Sequence, residues 1–256
     1  MPAAPALRLY CAPEFERYLL AFIERDCIPN VPAKGSAGYL THTAHTALVL
    51  ISEGSARLSG KPMSGREALA ALDFAPLVLG AKEGLSLVNG TACATGLSSV
   101  ALSRAERLLD WADAIAALTL EAVGCQMAAT MRMCWHCDIR RAFKTWASGC
   151  AGISRAAGLI EAAHGKRTQG ALSLRSVPHA YGAARDVFDT SCAVVDRELA
   201  SVTDNPAVAE TPDAPVVSSQ AYAVAPALCQ AADNLAIALA QVAAMSERLR
   251  IAWSPP

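Results

Sequence analysis

Apolar side chains recur along most of the chain at the three- and four-residue spacing that is typical of α-helices. In Glu14–Cys27 this spacing places Phe15, Leu19 and Phe22 on one face, and prolines end the segment. The same pattern predicts helices over further segments that have no proline in their interior. These helices are Thr41–Ile51, Leu97–Met133 as one helix or two, Gly149–Ala163, Tyr181–Leu199 and Pro226–Arg250.

Turn-forming residues separate the predicted helices. Ser64–Glu67 has the pattern of a capping box, in which the serine accepts a backbone N–H bond and the glutamate returns one, so a short helix is predicted from there to Leu72. Ser201–Pro206 is predicted to be a turn, because Thr-Asp-Asn-Pro offers side-chain oxygens to the backbone and proline blocks a helix. Thr211–Pro226 is predicted to be an irregular loop. No alternation of apolar and polar residues indicates strands.

The pattern as a whole predicts an all-α protein, a bundle of long helices that forms a single domain over residues 1–256. Hydrophobic residues make up 53% of the chain and charged residues 18%. Long helices that are rich in alanine and poor in charge must be buried on most faces. In a chain of 256 residues this requirement predicts a homo-oligomer.

Composition and charge exclude several classes of protein. A chain with this many apolar residues can bury enough surface to offset the conformational entropy that it loses on folding, which excludes intrinsic disorder. A net charge of −1 argues against a nucleic-acid binder. The most apolar stretches, Tyr39–Ile51 and Val216–Ala232, are too short or too polar to span a membrane. Met1–Cys11 has no secretory pattern, and nine scattered cysteines suit a reducing compartment, so we expect a cytoplasmic protein.

Four segments that contain glycine or proline follow one another in a recognisable order, and a helix near the end of the chain belongs with them. They are Val31–Gly38 (Val-Pro-Ala-Lys-Gly-Ser-Ala-Gly), Lys82–Thr91 (Lys-Glu-Gly-Leu-Ser-Leu-Val-Asn-Gly-Thr), Ser173–His179 (Ser-Leu-Arg-Ser-Val-Pro-His), Ser201–Pro206 (Ser-Val-Thr-Asp-Asn-Pro) and the helix Ala231–Arg248. In this order and at these spacings they resemble the aromatic amino acid ammonia-lyase family, and histidine ammonia-lyases in particular. The resemblance runs from about Leu19 to about Ile251.

This resemblance implies a long-helix bundle that assembles as a homotetramer, an amino-acid-like substrate, and carbon–nitrogen lyase chemistry that leaves an acrylate. The β-proton of such a substrate is weakly acidic and ammonia leaves poorly, so the family uses an electrophile. That electrophile is a methylidene-imidazolone ring formed from an Ala-Ser-Gly triad. The resemblance also implies a chain truncated at both ends, because the family regions that supply a catalytic tyrosine and a late glutamate are not matched.

The chain departs from the family at the loop that carries the electrophile. The family pattern is Gly-Ser-x-Gly-Ala-Ser-Gly-Asp-Leu-x-Pro-Leu-x-His, whereas Gly35–His45 reads Gly-Ser-Ala-Gly-Tyr-Leu-Thr-His-Thr-Ala-His. Alignment of both ends removes the triad as a unit and puts Tyr39 at the family's Asp and His42 at its Pro. A matured ring omitted from a one-letter sequence would leave a similar gap, but not these two substitutions. We therefore expect no methylidene-imidazolone and no other cofactor.

Other site positions of the family are matched unevenly. The resemblance assigns Asn89 to the catalytic centre, Arg175 to the substrate carboxylate, and Gln169 and Asn205 to substrate binding. Arg175 would suit a carboxylate because its planar fork binds both oxygens, although it could also tie helix ends together. Asn89 could instead be a loop residue with left-handed backbone geometry. Three positions depart from the family. Leu172 stands where the family commonly has a tyrosine, Gly170 where it has an acidic residue, and Gln220–Val224 where it has a Gly-Gly-Asn-Phe-His loop.

Two residues of the altered loop have alternative interpretations. Tyr39 is either an apolar filler at the start of a helix or a general base whose phenol points into the former electrophile site. His42 and His45 have a spacing that can hold a metal, but no third ligand is evident, so core packing is the simpler interpretation and no metal site is predicted.

Three functions follow from these observations. The first is a lyase without the ring that eliminates trimethylamine from a histidine betaine, as ergothionases do in a branch of the family that lacks the electrophile. Arg175 would hold the carboxylate and a tyrosine would take the β-proton. The second is an inactive fragment or oligomerisation paralogue of a histidine ammonia-lyase. The third is a metal-binding module at Cys134, His136 and Cys137, although buried free thiols are the simpler interpretation of one Cys-x-x-Cys pair.

Overall fold

The computed structural model describes residues 14–36, 40–125, 171–211, 214–221 and 224–253. The chain divides into two compact units, one made of Met1–Leu97 with Arg197–Pro226 and the other of Ser98–Asp196 with Ala227–Pro256. The described residues are mainly helical, as the sequence predicted. The predicted helix Gly149–Ala163 and the end of Leu97–Met133 lie outside the described residues.

Helices and short strands alternate in the described part of the first unit. The elements are α1 (Glu14–Glu24), β1 (Cys27–Pro29), α2 (Leu40–Leu50), β2 (Ser55–Leu58), β3 (Lys61–Ser64), α3 (Gly65–Ala71), α4 (Glu83–Val88), the start of α5 (Ala92–Ala122), β4 (Ala207–Thr211) and β5 (Ala214–Ser218). The first three strands form an antiparallel sheet in the order β1-β2-β3, and a separate hairpin pairs β4 with β5.

The strands are the main difference from the sequence prediction. The helix predicted to reach Cys27 ends at Glu24, and Asp26 has a left-handed backbone with φ 51° before β1 begins. The predicted loop Thr211–Pro226 was wrong over Ala214–Ser218, which forms β5. Strands of three to five residues are too short to show a two-residue period, so their pairing partners, and not their own pattern, define them.

The hydrophobic core of the first unit lies between α1, α2, α3 and the three-stranded sheet. Tyr18 stacks on Phe74 with ring centroids 4.2 Å apart, and its hydroxyl donates to the Ala75 carbonyl oxygen at 2.6 Å. This bond satisfies the one polar atom that the tyrosine brings into the core. The buried members are Phe15, Tyr18, Phe22, Cys27, Val49, Leu50, Ala56, Ala68, Leu69 and Leu72.

The capping box predicted at Ser64–Glu67 is present at the start of α3. The Ser64 hydroxyl accepts a bond from the Glu67 N–H, and the Glu67 carboxylate accepts one from the Ser64 N–H at 2.8 Å. The bond from the Ser64 N–H, together with one from the Ser64 hydroxyl to the same carboxylate at 2.8 Å, lowers the pKa of Glu67. The contribution of the box to stability is therefore present above the pKa of an ordinary glutamate and is lost as the pH falls through the lowered value.

Three long helices form most of the described part of the second unit. They are α5, α7 (Val177–Leu199) and α8 (Pro226–Trp253), and the short α6 (Leu172–Arg175) precedes α7. Buried residues recur on each long helix at alternating three- and four-residue steps, as expected where helices pack along their length. The clearest series is Val177, Tyr181, Ala184, Phe188, Ser191 and Val195 on α7.

Polar contacts join α7 to its neighbours. The Arg185 guanidinium binds Asp110 at 2.8 Å and Asp113 at 2.5 Å, both on α5. The Tyr181 hydroxyl lies 3.0 Å from the Ser246 hydroxyl on α8. Burial raises the pKa of Tyr181, which keeps its phenol neutral as a hydrogen-bonding group.

By length and hydropathy alone, two segments with long helices could cross a membrane, Glu83–Ala122 and Pro226–Arg250. This is a weak indication, because core helices of proteins without a membrane span pass the same test. Large apolar side chains such as Trp111, Ile115 and Leu118 are exposed on α5. The expectation that the protein makes no membrane contact stays a prediction.

The two partners of Arg185 differ in exposure, which gives a direct test of the α5–α7 contact. The Asp113 side chain is 19% exposed and the Asp110 side chain 63%. We expect Asp113→Asn to lower the free energy of unfolding by about 1–2 kcal/mol, because it leaves a half-buried guanidinium with a weaker partner. Asp110→Asn should cost less than about 0.5 kcal/mol, since an exposed pair is screened by water. Urea unfolding of both variants measures the difference, and equal losses would contradict this assignment.

Candidate functional site

Two of the predicted site residues meet in the first unit. Asn89 ends α4 and its Nδ2 donates to the Asn205 backbone oxygen at 2.5 Å. The Asn205 side-chain oxygen in turn accepts a bond from the Gln220 N–H at 2.6 Å. The two asparagines therefore form one chain of hydrogen bonds. Asn89 has φ −75° and ψ 165°, so the alternative of a left-handed loop residue was wrong.

A buried cluster of opposite charges lies beside these asparagines. Lys82 precedes α4 with a left-handed φ of 70°, and its Nζ forms an ion pair with the Asp204 carboxylate. The Ser86 hydroxyl accepts from Lys82 Nζ at 3.0 Å and donates to Asp204 Oδ2 at 2.7 Å. The Lys82 and Asp204 side chains are 17% and 3% exposed. We call these three residues the Lys82 cluster.

The Asn-Gly-Thr sequence after α4 is also bonded to the turn 201–206 and to the end of α7 before it. The Thr91 N–H donates to Thr203 Oγ1 at 3.2 Å, and the Thr91 hydroxyl donates to Glu198 Oε1 at 2.5 Å. Gly90 has φ +96°, and a side chain there would place its Cβ 2.6 Å from Thr203 Oγ1. Glycine is required at this position by the backbone angle and by the closeness of the turn.

The first turn of α2 contacts the end of α4, so the described end of the altered loop, residues 40–45, lies next to Asn89. The Thr43 hydroxyl donates to the Val88 carbonyl oxygen at 2.8 Å, one residue before Asn89. The Thr41 N–H donates to Ser36 Oγ at 3.1 Å. His42, between these two threonines, has a buried Nδ1 that finds no hydrogen-bond partner within the part of the chain that the structure describes.

The remaining predicted residues lie in the second unit or outside the described residues. Arg175 is the last residue of α6 in the second unit, where it is half-buried. Tyr39 and Gln169 lie outside the described residues, and so do Cys134, His136 and Cys137. No group of three or more His, Cys, Asp or Glu side chains suited to a metal ion occurs among the described residues.

Sequence reasoning missed Lys82, Ser86 and Asp204 as residues of the site. All three lie inside segments that carried the family resemblance, Lys82–Thr91 and Ser201–Pro206. The available signal was one basic residue in the first segment and one acidic residue in the second, which is too little to predict a pair across 122 positions.

The prediction that the sequence contains no Ala-Ser-Gly triad was wrong for the chain as a whole and holds only for the loop Gly35–His45. One Ala-Ser-Gly tripeptide occurs at Ala147–Gly149, outside the described residues and about a hundred positions from that loop. The expectation of no electrophile therefore depends on the loop alone.

The arrangement of motifs and helices has clear relatives. The family model for aromatic amino acid lyases matches residues 11–252. The chain belongs to the aromatic amino acid lyase family. It is 37% identical over 241 residues to a histidine ammonia-lyase of Gloeobacter violaceus. This alignment covers 92% of this chain and 46% of that protein. A probable histidine ammonia-lyase of Halobacterium salinarum is 38% identical over 245 residues. The chain thus spans about half the length of the curated relatives it matches.

Solved structures agree with this family and with the predicted helical fold. The histidine ammonia-lyase of Trypanosoma cruzi superposes with a TM-score of 0.79 at 26% identity, over 93% of this chain and 44% of that one. The ergothioneine-degrading ergothionase of Treponema denticola gives a TM-score of 0.86 at 21% identity, over 95% and 49%. At that identity the second likeness shows the fold alone.

The close approach of Gly90 to Thr203 can be tested by substitution. We expect Gly90→Ala to lower the free energy of unfolding by about 2–4 kcal/mol, because an unfavourable backbone angle is combined with a clash against the turn. Gly60→Ala is the matched control: Gly60 also has a positive φ, +80°, but a Cβ there meets nothing within 4 Å. Chemical denaturation should show the smaller loss for Gly60→Ala. Losses of the same size would mean that Thr203 does not restrict Gly90.

Proposed function

We propose that this chain carries part of a carbon–nitrogen lyase that works without a methylidene-imidazolone ring. Its substrate is an amino-acid-like betaine, such as a histidine betaine, from which trimethylamine is eliminated. The observation that carries this proposal is the loop Gly35–His45, which lacks the triad at the family position while Asn89, Arg175 and Asn205 are retained.

An elimination without an electrophile needs a leaving group that departs without covalent help. A base takes the β-proton, the C–H electron pair becomes the new double bond, and the C–N pair leaves with neutral trimethylamine. A trimethylammonium group cannot lose its charge by deprotonation, so its nitrogen is always ready to leave. A primary amine has no such permanent charge, which is why the family's ring is needed to remove ammonia.

Each of the three retained residues, and the substituted Tyr39, has a role in this proposal. The Arg175 guanidinium binds the substrate carboxylate with two parallel hydrogen bonds. The Tyr39 phenol takes the β-proton, as its place in the altered loop suggests. Asn89 forms a polar wall of the site beside the described end of that loop. Its place there is supported by the bond from the Thr43 hydroxyl, in the first turn of α2, to the carbonyl oxygen of Val88, the residue before Asn89. Asn205 supports this wall through its bond from Asn89.

A second function is favoured by one observation. The segment Gln220–Val224 stands at the family's Gly-Gly-Asn-Phe-His loop and does not keep that sequence, and Leu172 stands at a common tyrosine. An inactive fragment or an oligomerisation paralogue would keep the helical core and the motif contacts without turnover. The homotetramer implied by the family stays a prediction under both functions.

Substrate tests separate the two functions. We expect the purified chain to release trimethylamine, but no ammonia, from ergothioneine, with a rise in the ultraviolet absorbance of the conjugated acrylate. Histidine should remain unchanged, and the intact mass should match the unmodified sequence. Release of ammonia from histidine, or a mass lowered by loss of water, would show that a ring forms. No turnover of either compound would favour the inactive paralogue.

The carboxylate-binding role of Arg175 predicts a specific change in kinetics. We expect Arg175→Met to raise KM for ergothioneine by about tenfold to a hundredfold, the worth of a charge-assisted hydrogen-bonded pair. Arg66→Met is the control, because Arg66 is exposed on α3 and has no role assigned to it in this reaction. Steady-state kinetics with both variants measures the effect. A KM that is unchanged in Arg175→Met would remove Arg175 from substrate binding.

A further inference from the structure

We propose that the Lys82 cluster positions Asn89 and Asn205, so that Lys82, Ser86 and Asp204 are positioning residues of the candidate site. They act through the two asparagines and not on a bound molecule. Their role in a substrate site rests on the proposed function. Their effect on the two asparagines does not, because those hydrogen bonds can be measured in the protein without substrate.

The connection from the cluster to the asparagines is short on both sides. Asp204 is the neighbour of Asn205 in the turn, so bonds that hold the Asp204 carboxylate also restrain the backbone next to the Asn205 peptide. Ser86 lies one helical turn before Asn89 on α4. The Ser86–Asp204 bond of 2.7 Å and the Asn89–Asn205 bond of 2.5 Å therefore join the same two segments of chain in parallel.

Because the cluster contains buried charges, the loss of one of its partners should cost more than the loss of the bond between the asparagines. The Asp204 side chain is 3% exposed, and an ion so far from water needs a counter-charge and hydrogen bonds nearby. Lys82 supplies the counter-charge and Ser86 supplies an O–H donor, both to Oδ2. The other oxygen, Oδ1, is buried and has no hydrogen-bond partner among the described residues. Compensation of the carboxylate in the described structure thus depends on these two side chains.

The cluster is made of polar side chains that are not members of the hydrophobic core of its own unit. None of its members belongs to the core group between α1, α2, α3 and the sheet. Loss of the cluster is therefore expected to release the turn 203–206 locally, while the β1-β2-β3 sheet keeps its protection. This separation distinguishes a positioning role from a general contribution to folding.

Hydrogen exchange of the full chain, followed by NMR, tests the proposal. The reporter is the Gln220 N–H, which donates to the Asn205 side chain, and the internal reference is the set of β2 amides. We expect Lys82→Met to speed exchange of the Gln220 amide relative to β2 by about tenfold or more, because it leaves a buried carboxylate without its counter-charge. Ser86→Ala should have a smaller effect in the same direction.

The double variant Lys82→Met/Asp204→Asn supplies the decisive comparison. It removes both charges, so exchange at Gln220 should return toward the wild-type rate, which a role in simple packing would not produce. Lys61→Met is the control for loss of a lysine, because Lys61 is exposed on β3. Wild-type exchange at Gln220 in both single variants would overturn the proposal, as would equal acceleration at Gln220 and β2. If Lys82→Met does not fold, exchange of the Gln220 amide relative to β2 in Ser86→Ala and in the double variant tests the proposal instead.

Turnover of ergothioneine tests the proposed function independently. In an active protein we expect Ser86→Ala to raise KM with little change in kcat, since a displaced asparagine weakens binding before it changes the chemical step. A protein without turnover whose Gln220 amide responds as described would retain the positioning role and lose only the assigned reaction.

Discussion

The candidate site depends on the return of the chain, more than a hundred residues later, to the segment that ends α4. Polar bonds join the two segments at separations of 107 to 122 positions, among them the Lys82–Asp204 ion pair. Closing so long a loop costs conformational entropy, which the bonds must offset together. A single neutral hydrogen bond contributes only about 0.5–1.5 kcal/mol, so several bonds and a buried charge pair are needed to hold the turn.

This constraint explains why small residues lie at the contact. Gly90 leaves room for Thr203, and Thr91 then uses both its N–H and its hydroxyl to hold the returning chain. Close approach of the two backbones brings the side chain of Asn89 within reach of the Asn205 carbonyl oxygen. The geometry of the asparagines is therefore a consequence of how tightly the turn 203–206 packs against the end of α4.

The sequence predicted the local features of the fold well. α2, α3, the capping box at Ser64 and the end of α7 all follow from side chains within a few positions of one another. Short strands were missed because β1 and β5 are defined by their partners, β2 and β4, and not by their own residues. The asparagines were found through resemblance to a family, whereas the Lys82–Asp204 pair was not, because no local rule relates a lysine to an aspartate in a turn 122 positions away.

The described end of the altered loop forms a regular helix start. α2 begins at Leu40, and Ser36 and Val88 accept bonds from Thr41 and Thr43. Under the proposed function, the scaffold works without the electrophile and keeps the wall formed by the end of α4. What such a loop then needs is a substrate that brings its own leaving group, and this need links the missing triad to a permanently charged amine.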